Sequence, residues 1–405
     1  MSHLERDKEK PHIPELDGIR GVAISLVLVF HYFHEPAVVI PGGLAWHVLA
    51  PFRIGWTGVD LFFVLSGFLI GGILLDARVA SNYFRTFYTR RFYRIWPLYA
   101  VVVCLCYLQT VLLEHGFAPR LSWMLQGRLP FYSYIFFVQN FWMATKNTFG
   151  TWGLGGTWSL AIEEQFYLTL PLLIWLIEPK KLKQYLVAAV IAAPVIRILF
   201  CIVLPNKFML SFALMPCRAD ALLLGVLGAI AMRTPAYWTW VEEHGRLILG
   251  TIFVLLLGCA VSIHVASTPD SLLMRTFGYT WMAVLYTLIL VYSLTQKSSL
   301  ISRALRMSLL RSLGKIAYGV YLLHAYVLTL LTVLITPSHP FHANWPALDS
   351  WFQFGVSLAA LFLTVTLCQL SWQHFEKPLV QIGHRSKYKF DSAPHVSDAH
   401  HLVSP

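Results

Sequence analysis

Residues 16–33 read LDGIRGVAISLVLVFHYF. The run is apolar enough to cross a membrane, but Arg20 stands near one end of it and His31 follows eleven residues later. A titratable side chain in hydrocarbon is costly unless paired or wetted, so such a residue marks a functional site by default. A helix rises about 1.5 Å per residue, which sets His31 roughly 16 Å deeper than Arg20, near the middle of a hydrocarbon core about 30 Å thick. The stretch therefore reads as a transmembrane helix carrying an imidazole at mid-depth, with a cation guarding one approach to it.

Composition supports the membrane reading. Of 405 residues, 57% are hydrophobic and 13% charged, and the mean hydropathy is +0.61, far from a soluble globular domain. The net charge of +11 does not point to nucleic acid, because the cations cluster between apolar runs, as cytoplasmic loops require. Residues 1–18 are too polar for a cleaved signal peptide, so the first span reads as a signal anchor. Six cysteines lie in or beside apolar runs without C-x-x-C spacing, and read as small hydrophobes rather than as disulfides or metal ligands. No metal site is expected; the scattered His395, His400 and His401 lack a ligand spacing.

The fold class expected is an all-α polytopic membrane protein with about ten transmembrane helices and both termini cytoplasmic. Apolar stretches run through residues 19–39, 56–75, 96–113, 157–177, 185–204, 212–232, 247–265, 275–295, 314–335 and 350–373, each near the roughly 20 residues a crossing needs. Residues 131–143, FYSYIFFVQNFWM, are short and rich in aromatics and amides, which suits an interfacial or re-entrant piece. This topology puts 21 Lys and Arg in inside segments and 6 in outside ones, a strong positive-inside bias. Residues 1–383 are read as a single transmembrane domain and 384–405 as a mobile cytoplasmic tail.

Measured from the cytoplasmic side at about 1.5 Å per residue, His324, His31, Arg197, Glu163, Glu164, Arg218 and Asp220 all fall between roughly 15 and 22 Å deep. One shared layer suggests an internal cavity. For Arg197, Arg218 and Asp220 an equal reading is that of structural clamps, such as Arg218 with Asp220 or Arg197 with a carboxylate. Asp60, near the outer interface, reads as solvated or capping. His31 differs from these, since a neutral imidazole needs no countercharge and can move protons near pH 7.

These residues carry a resemblance. After LDGIRGVAISLVLVFHYF come GWTGVDLFFVLSGFLI (55–70), RRFYRIWPLY (90–99), TWSLAIEEQFYLTLPLL (157–173), RADALLLG (218–225), GVYLLHAYV (319–327) and FEKP (375–378). In this order, from about residue 14 to 380, they resemble the signatures of the membrane-bound acyltransferase type 3 family, the O-acetylases of bacterial surface polysaccharides. The family's Arg and His separated by ten residues match Arg20 and His31. Its R-x-x-R element matches Arg91 and Arg94, and its W-S-L-x-x-E-E motif matches Trp158, Ser159, Leu160, Glu163 and Glu164; His324 matches a family position. Some members carry a fused extracytoplasmic hydrolase-like domain that is not seen in these residues, so a second transfer step is expected to fall to a partner protein or to be absent.

The resemblance implies an integral-membrane O-acyltransferase of the cell inner membrane. It further implies acyl-CoA, as acetyl-CoA, as the cytoplasmic donor and co-substrate, with no permanently bound cofactor, and a hydroxyl of an extracytoplasmic or lipid-linked glycan as the acceptor. Guanidinium groups match phosphate oxygens, so Arg20, Arg90, Arg91 and Arg94 are candidates for CoA binding, with Trp158, Ser159 and His324 lining the substrate path. His31 is the candidate general base or acyl carrier. Glu163 and Glu164 point about 100° apart on a helix. Glu164 is expected to orient the imidazole or bind the sugar, and Glu163 to meet a structural cation such as Arg197 or Arg218. The alternative is a transporter or flippase of a lipid-linked sugar, against which the absence of repeated halves weighs.

Overall fold

The structure, a computed structural model, describes residues 13–37, 48–265, 268–336, 341–342 and 345–390. Ten long helices organise it: α1 (Pro14–Val29), α2 (Gly58–Ala77), α3 (Tyr83–Glu114), α4 (Trp158–Leu176), α5 (Pro179–Val203), α6 (Met215–Ala231), α7 (Gly245–Val265), α8 (Tyr279–Thr295), α9 (Ser308–Ile335) and α10 (Trp351–Ser371). Proline opens α1 and α5 in the first turn, where its missing N–H costs nothing. α1 runs on into a π-helical turn, Phe30–His34, a local widening often found at functional sites. A single two-residue hairpin, Phe341–His342 with Trp345–Pro346, is the strand structure among the described residues. On α5 and α7, Ile191, Leu199, Phe253 and Val254 are exposed, the face a protein presents to lipid rather than to water.

Among the described residues, nine helices are long and apolar enough to cross a membrane, one fewer than the ten expected spans. The difference lies at 157–177. There α4 has 19 residues, about 28 Å at the α-helical rise, but Glu163, Glu164 and Gln165 sit together in its first half and lower its hydropathy. Residues 131–143 do not form one long crossing helix: they form two short helices, Phe131–Ile135 and Gln139–Lys146, broken at Phe137 by a positive φ of 54°. Tyr99 of α3 donates to the Tyr134 carbonyl (2.9 Å), and the Gln139 amide donates to the Thr157 carbonyl (3.0 Å), which anchors this layer to the start of α4.

Two close helix crossings set the geometry of the interior. A Cβ on Gly67 of α2 would lie 1.8 Å from the Leu222 carbonyl oxygen of α6, so only glycine permits that approach. On the other side, a Cβ on Gly314 of α9 would lie 1.9 Å from the Asp17 carbonyl oxygen and 3.1 Å from the Gly21 nitrogen of α1. His31 lies ten residues beyond Gly21, and His324 ten beyond Gly314. Ten residues rise about 15 Å on each helix, so the two imidazoles arrive together. Tyr32 locks the pair by donating to the His324 carbonyl at 2.9 Å.

The charged residues of α5 and α6 act as clamps; Arg197 meets a carboxylate, as expected, but Arg218 takes a partner other than Asp220. Arg218 pairs with Asp60 of α2 at 2.5 Å, and Arg197 of α5 with Asp220 of α6 at 2.9 Å. Asp60 is fully buried and paired with Arg218, so its expected solvated or capping role is corrected. Arg218 also lies over the Tyr279 ring, 3.9 Å from its centre, a favourable cation–π arrangement. Of the six cysteines, five are buried and Cys104 is exposed; all are unpaired. The tail after His384 is held at its start. Asn82 donates to the Lys387 carbonyl (2.8 Å) and accepts from the Lys389 N–H (2.8 Å), whereas residues 391–405, with His395, His400 and His401, lie outside the described residues.

Candidate active site

The polar layer divides into two cavities set end to end. The first, about 160 Å³, is lined by Arg20 of α1, Ser66 of α2, Arg91 and Arg94 of α3, and Glu163 of α4. Arg20 is held by Asp17 one turn earlier (2.7 Å). A carboxylate only accepts, so the Tyr167 hydroxyl gives its proton to Glu163 (3.0 Å) and receives one from Ser66 (2.6 Å). Three guanidinium groups facing one carboxylate leave this cavity cationic, suited to an anionic ligand.

Arg90 stands apart from that cluster. Its Nε donates to the Ser386 carbonyl (2.9 Å) and its guanidinium covers the Tyr388 ring at 5.1 Å. It is therefore turned to the C-terminal segment and does not line the arginine cavity. Arg90 and Arg91 diverge by about 100° around the helix, whereas Arg94 lies one turn beyond Arg90 on nearly the same face and reaches the cavity from there.

The second cavity is larger, about 830 Å³, and holds His31 and His324 in its wall. Trp123, Trp152, Trp158 and Phe212 present aromatic faces to it, and Gln126, Asn147 and Asp270 present hydrogen-bonding groups. Flat rings interleaved with amides and a carboxylate suit a polar ligand with apolar faces. Trp158 packs on Phe212 with ring centres 4.3 Å apart and lies over Arg218 at 5.6 Å, so the buried Asp60–Arg218 pair supports this wall from behind.

The two imidazoles are hydrogen-bonded, Nε2 of His324 to Nδ1 of His31 at 3.2 Å. Their proton positions follow from the partners. A carbonyl only accepts, so the neutral His324 carries its proton on Nδ1 and donates it to the Tyr321 carbonyl at 2.8 Å. Its Nε2 is then an acceptor and must receive the proton of His31 Nδ1. That leaves Nε2 of His31 as the nitrogen with the basic lone pair.

Glu163 and Glu164 do not occupy the places expected of them. Glu163 meets Tyr167 rather than Arg197 or Arg218. Glu164 lines neither cavity, and its Oε1 is buried without a hydrogen-bond partner. The side chain hydrogen-bonded to His31 is His324; rise along a helix predicts depth but not which way a side chain faces. Ser159 lines the first cavity and shares a 2.7 Å hydrogen bond with the Tyr321 hydroxyl. Tyr321 was not singled out from the sequence, although its position three residues before His324 places both on one helix face.

Comparison with known proteins agrees with these signatures. The chain is 26% identical over 396 residues to the peptidoglycan O-acetyltransferase OatA of Listeria monocytogenes, covering 94% of this chain and 58% of that protein. It is 25% identical over 405 residues to the O-acetyltransferase OatA of Staphylococcus aureus, covering 95% of this chain and 60% of that one. It thus spans less than two thirds of the length of these relatives. No solved structure matches the chain significantly. The family model described as an acyltransferase domain matches residues 13–372, and the chain belongs to that family, the membrane-bound acyltransferases of type 3.

Proposed function

We propose that the protein is an O-acetyltransferase of the inner membrane, moving an acetyl group from cytoplasmic acetyl-CoA to a hydroxyl of cell-wall glycan or its lipid-linked precursor. The observation that carries the reading is the His31–His324 pair in the wall of an aromatic, amide-lined cavity, set end to end with a cavity lined by Arg20, Arg91 and Arg94. The bias of 21 to 6 basic residues supports orientation of the arginine cavity towards the cytoplasm, and the peptidoglycan O-acetyltransferase relative supports the class of acceptor.

In this mechanism the arginines hold the anionic portion of CoA while its slender pantetheine arm carries the thioester inwards. The acceptor hydroxyl lies against Nε2 of His31, which takes its proton as the oxygen attacks the thioester carbonyl. The new C–O bond forms, the C–S bond breaks, and the imidazolium returns the proton to the CoA thiolate. His324 keeps His31 in the required tautomer and shares the positive charge that forms. CoA is a substrate that leaves after each turnover.

The test is incubation of the purified protein with labelled acetyl-CoA and cell-wall glycan fragments. Release of CoA with labelled ester on the glycan supports transfer. His31→Ala should lower turnover by about 10²-fold or more, the usual contribution of a positioned base. Movement of lipid-linked sugar without CoA release would instead establish the transporter reading, and wild-type turnover by folded His31→Ala would remove His31 from the chemistry.

A further inference from the structure

Val59 and Tyr321 are the two residues that line both cavities. Among the described residues, the two cavities adjoin at this point. The Tyr321 ring is held in place there, because its hydroxyl lies 2.8 Å from the Gly156 carbonyl and 2.7 Å from the Ser159 hydroxyl, both at the start of α4. Phe62 of α2 meets the ring edge-on, with centres 6.3 Å apart. Val59, on α2 with Phe62, forms the opposite lip and is itself 8% exposed. The crossing is thus bounded by one tethered aromatic ring and one branched aliphatic side chain, with no charged group on either lip.

We infer that Val59 and Tyr321 form a neck that selects the acyl group by size, admitting a thioester with a two-carbon acyl chain and rejecting longer ones. The inference rests on the acyl-transfer reading above. A pantetheine arm is slim and flexible, so its end can enter such an opening, whereas each extra methylene on the acyl group must fit between the valine methyls and the tyrosine ring. Interiors are close-packed, and methylene-sized differences are felt there. The tether gives the ring one position: Ser159, of the W-S-L-x-x-E-E motif, holds the hydroxyl rather than taking part in the chemistry. Ser159 and Tyr321 are therefore positioning residues for the neck. His324 hydrogen-bonds the Tyr321 backbone carbonyl, and its ring stands 6.1 Å from the Tyr321 ring.

The experiment compares acetyl-CoA with butanoyl-CoA as donor for the wild type, Val59→Ala and Val59→Phe. Val59→Ala removes two methyls from one lip and touches no hydrogen bond. It should raise the ratio of butanoyl to acetyl kcat/KM by about tenfold or more, since one methylene in an apolar pocket is worth about 10- to 200-fold in discrimination. Val59→Phe should lower transfer from both donors and lower butanoyl transfer more. Tyr321→Phe, which frees the ring from its tether, should shift the ratio in the same direction as Val59→Ala. An unchanged ratio in Val59→Ala and Tyr321→Phe, with acetyl transfer intact in the wild type, overturns the neck and leaves the acyltransferase reading standing. Absence of acetyl transfer in the wild type would instead overturn that reading and the neck with it.

Discussion

Gly314→Ala should disable the enzyme from about 15 Å away. The new methyl would stand 1.9 Å from the Asp17 carbonyl oxygen, where ordinary contact begins near 3.4 Å. α1 and α9 must therefore part by about 1.5 Å at their crossing, since a close-packed interior leaves no slack. Carried up two stiff helices, that separation takes the His31–His324 hydrogen bond from 3.2 Å to about 4.7 Å, beyond any hydrogen-bonding range. His31 then loses the partner that fixes its tautomer. A misplacement of about 1 Å can cost about 10²-fold in rate, and a loss of that order is expected in acetyl transfer from acetyl-CoA. Alanine favours helix more than glycine does, so the loss cannot be laid to unwinding of α9. Thermal unfolding of the variant, measured beside turnover, separates misplacement from collapse. A folded Gly314→Ala protein with wild-type turnover would refute the argument that this crossing positions the two imidazoles.

The arginine cavity and the buried clamps make separate predictions. Arg91→Ala and Arg94→Ala should each raise the acetyl-CoA requirement about tenfold, as expected when a charge-assisted hydrogen bond of about 1.5–3 kcal/mol is lost, and calorimetry should show CoA binding weakened by salt in the wild type; affinity unchanged in both variants would return the arginines to a topological role. Arg90→Ala should leave CoA affinity nearly unchanged, because that side chain faces Ser386 and Tyr388; a tenfold loss would put it back in the binding site. Asp60→Ala should destabilise the fold by about 3–5 kcal/mol by leaving Arg218 buried without its charge partner, and the Asp60→Ala, Arg218→Met pair should recover much of that; a melting temperature equal to wild type in the single variant would show that the ion pair contributes nothing.

How much of this was legible in the sequence depended on the coordinate being asked for. Hydropathy and the spacing of Arg20 and His31 supplied position along the membrane normal, and in the structure Arg20 indeed lines one cavity and His31 the other. Direction around each helix was not available. Glu164 was therefore matched to His31 on depth alone, while the residue that meets it, His324, comes from a helix nearly three hundred positions away. The equal ten-residue offsets from Gly21 and Gly314 were present in the sequence, but nothing there says that α1 and α9 touch. Arg90 shows the same limit, since a basic run after a span reads alike whether its side chains face a ligand or the chain's own tail. Asp60 sits near the end of an apolar run, where water is the default neighbour, and its burial against Arg218 is a tertiary feature. The nine clear spans against ten expected reflect the site itself, since α4 gives up hydropathy where it carries Glu163 and Glu164.

The central claim is that donor and acceptor meet at the two-cavity core from opposite faces of the membrane. Proteoliposomes holding the protein in one known orientation test it, with acetyl-CoA on one side and membrane-impermeant cell-wall glycan fragments on the other. With acetyl-CoA on the face nearer Arg91 and Arg94, and glycan on the face nearer His31 and Trp152, acetyl ester should accumulate on the glycan. With the two exchanged, or both on the arginine face, none should form. Equal acetylation with both substrates on the arginine face would contradict the account.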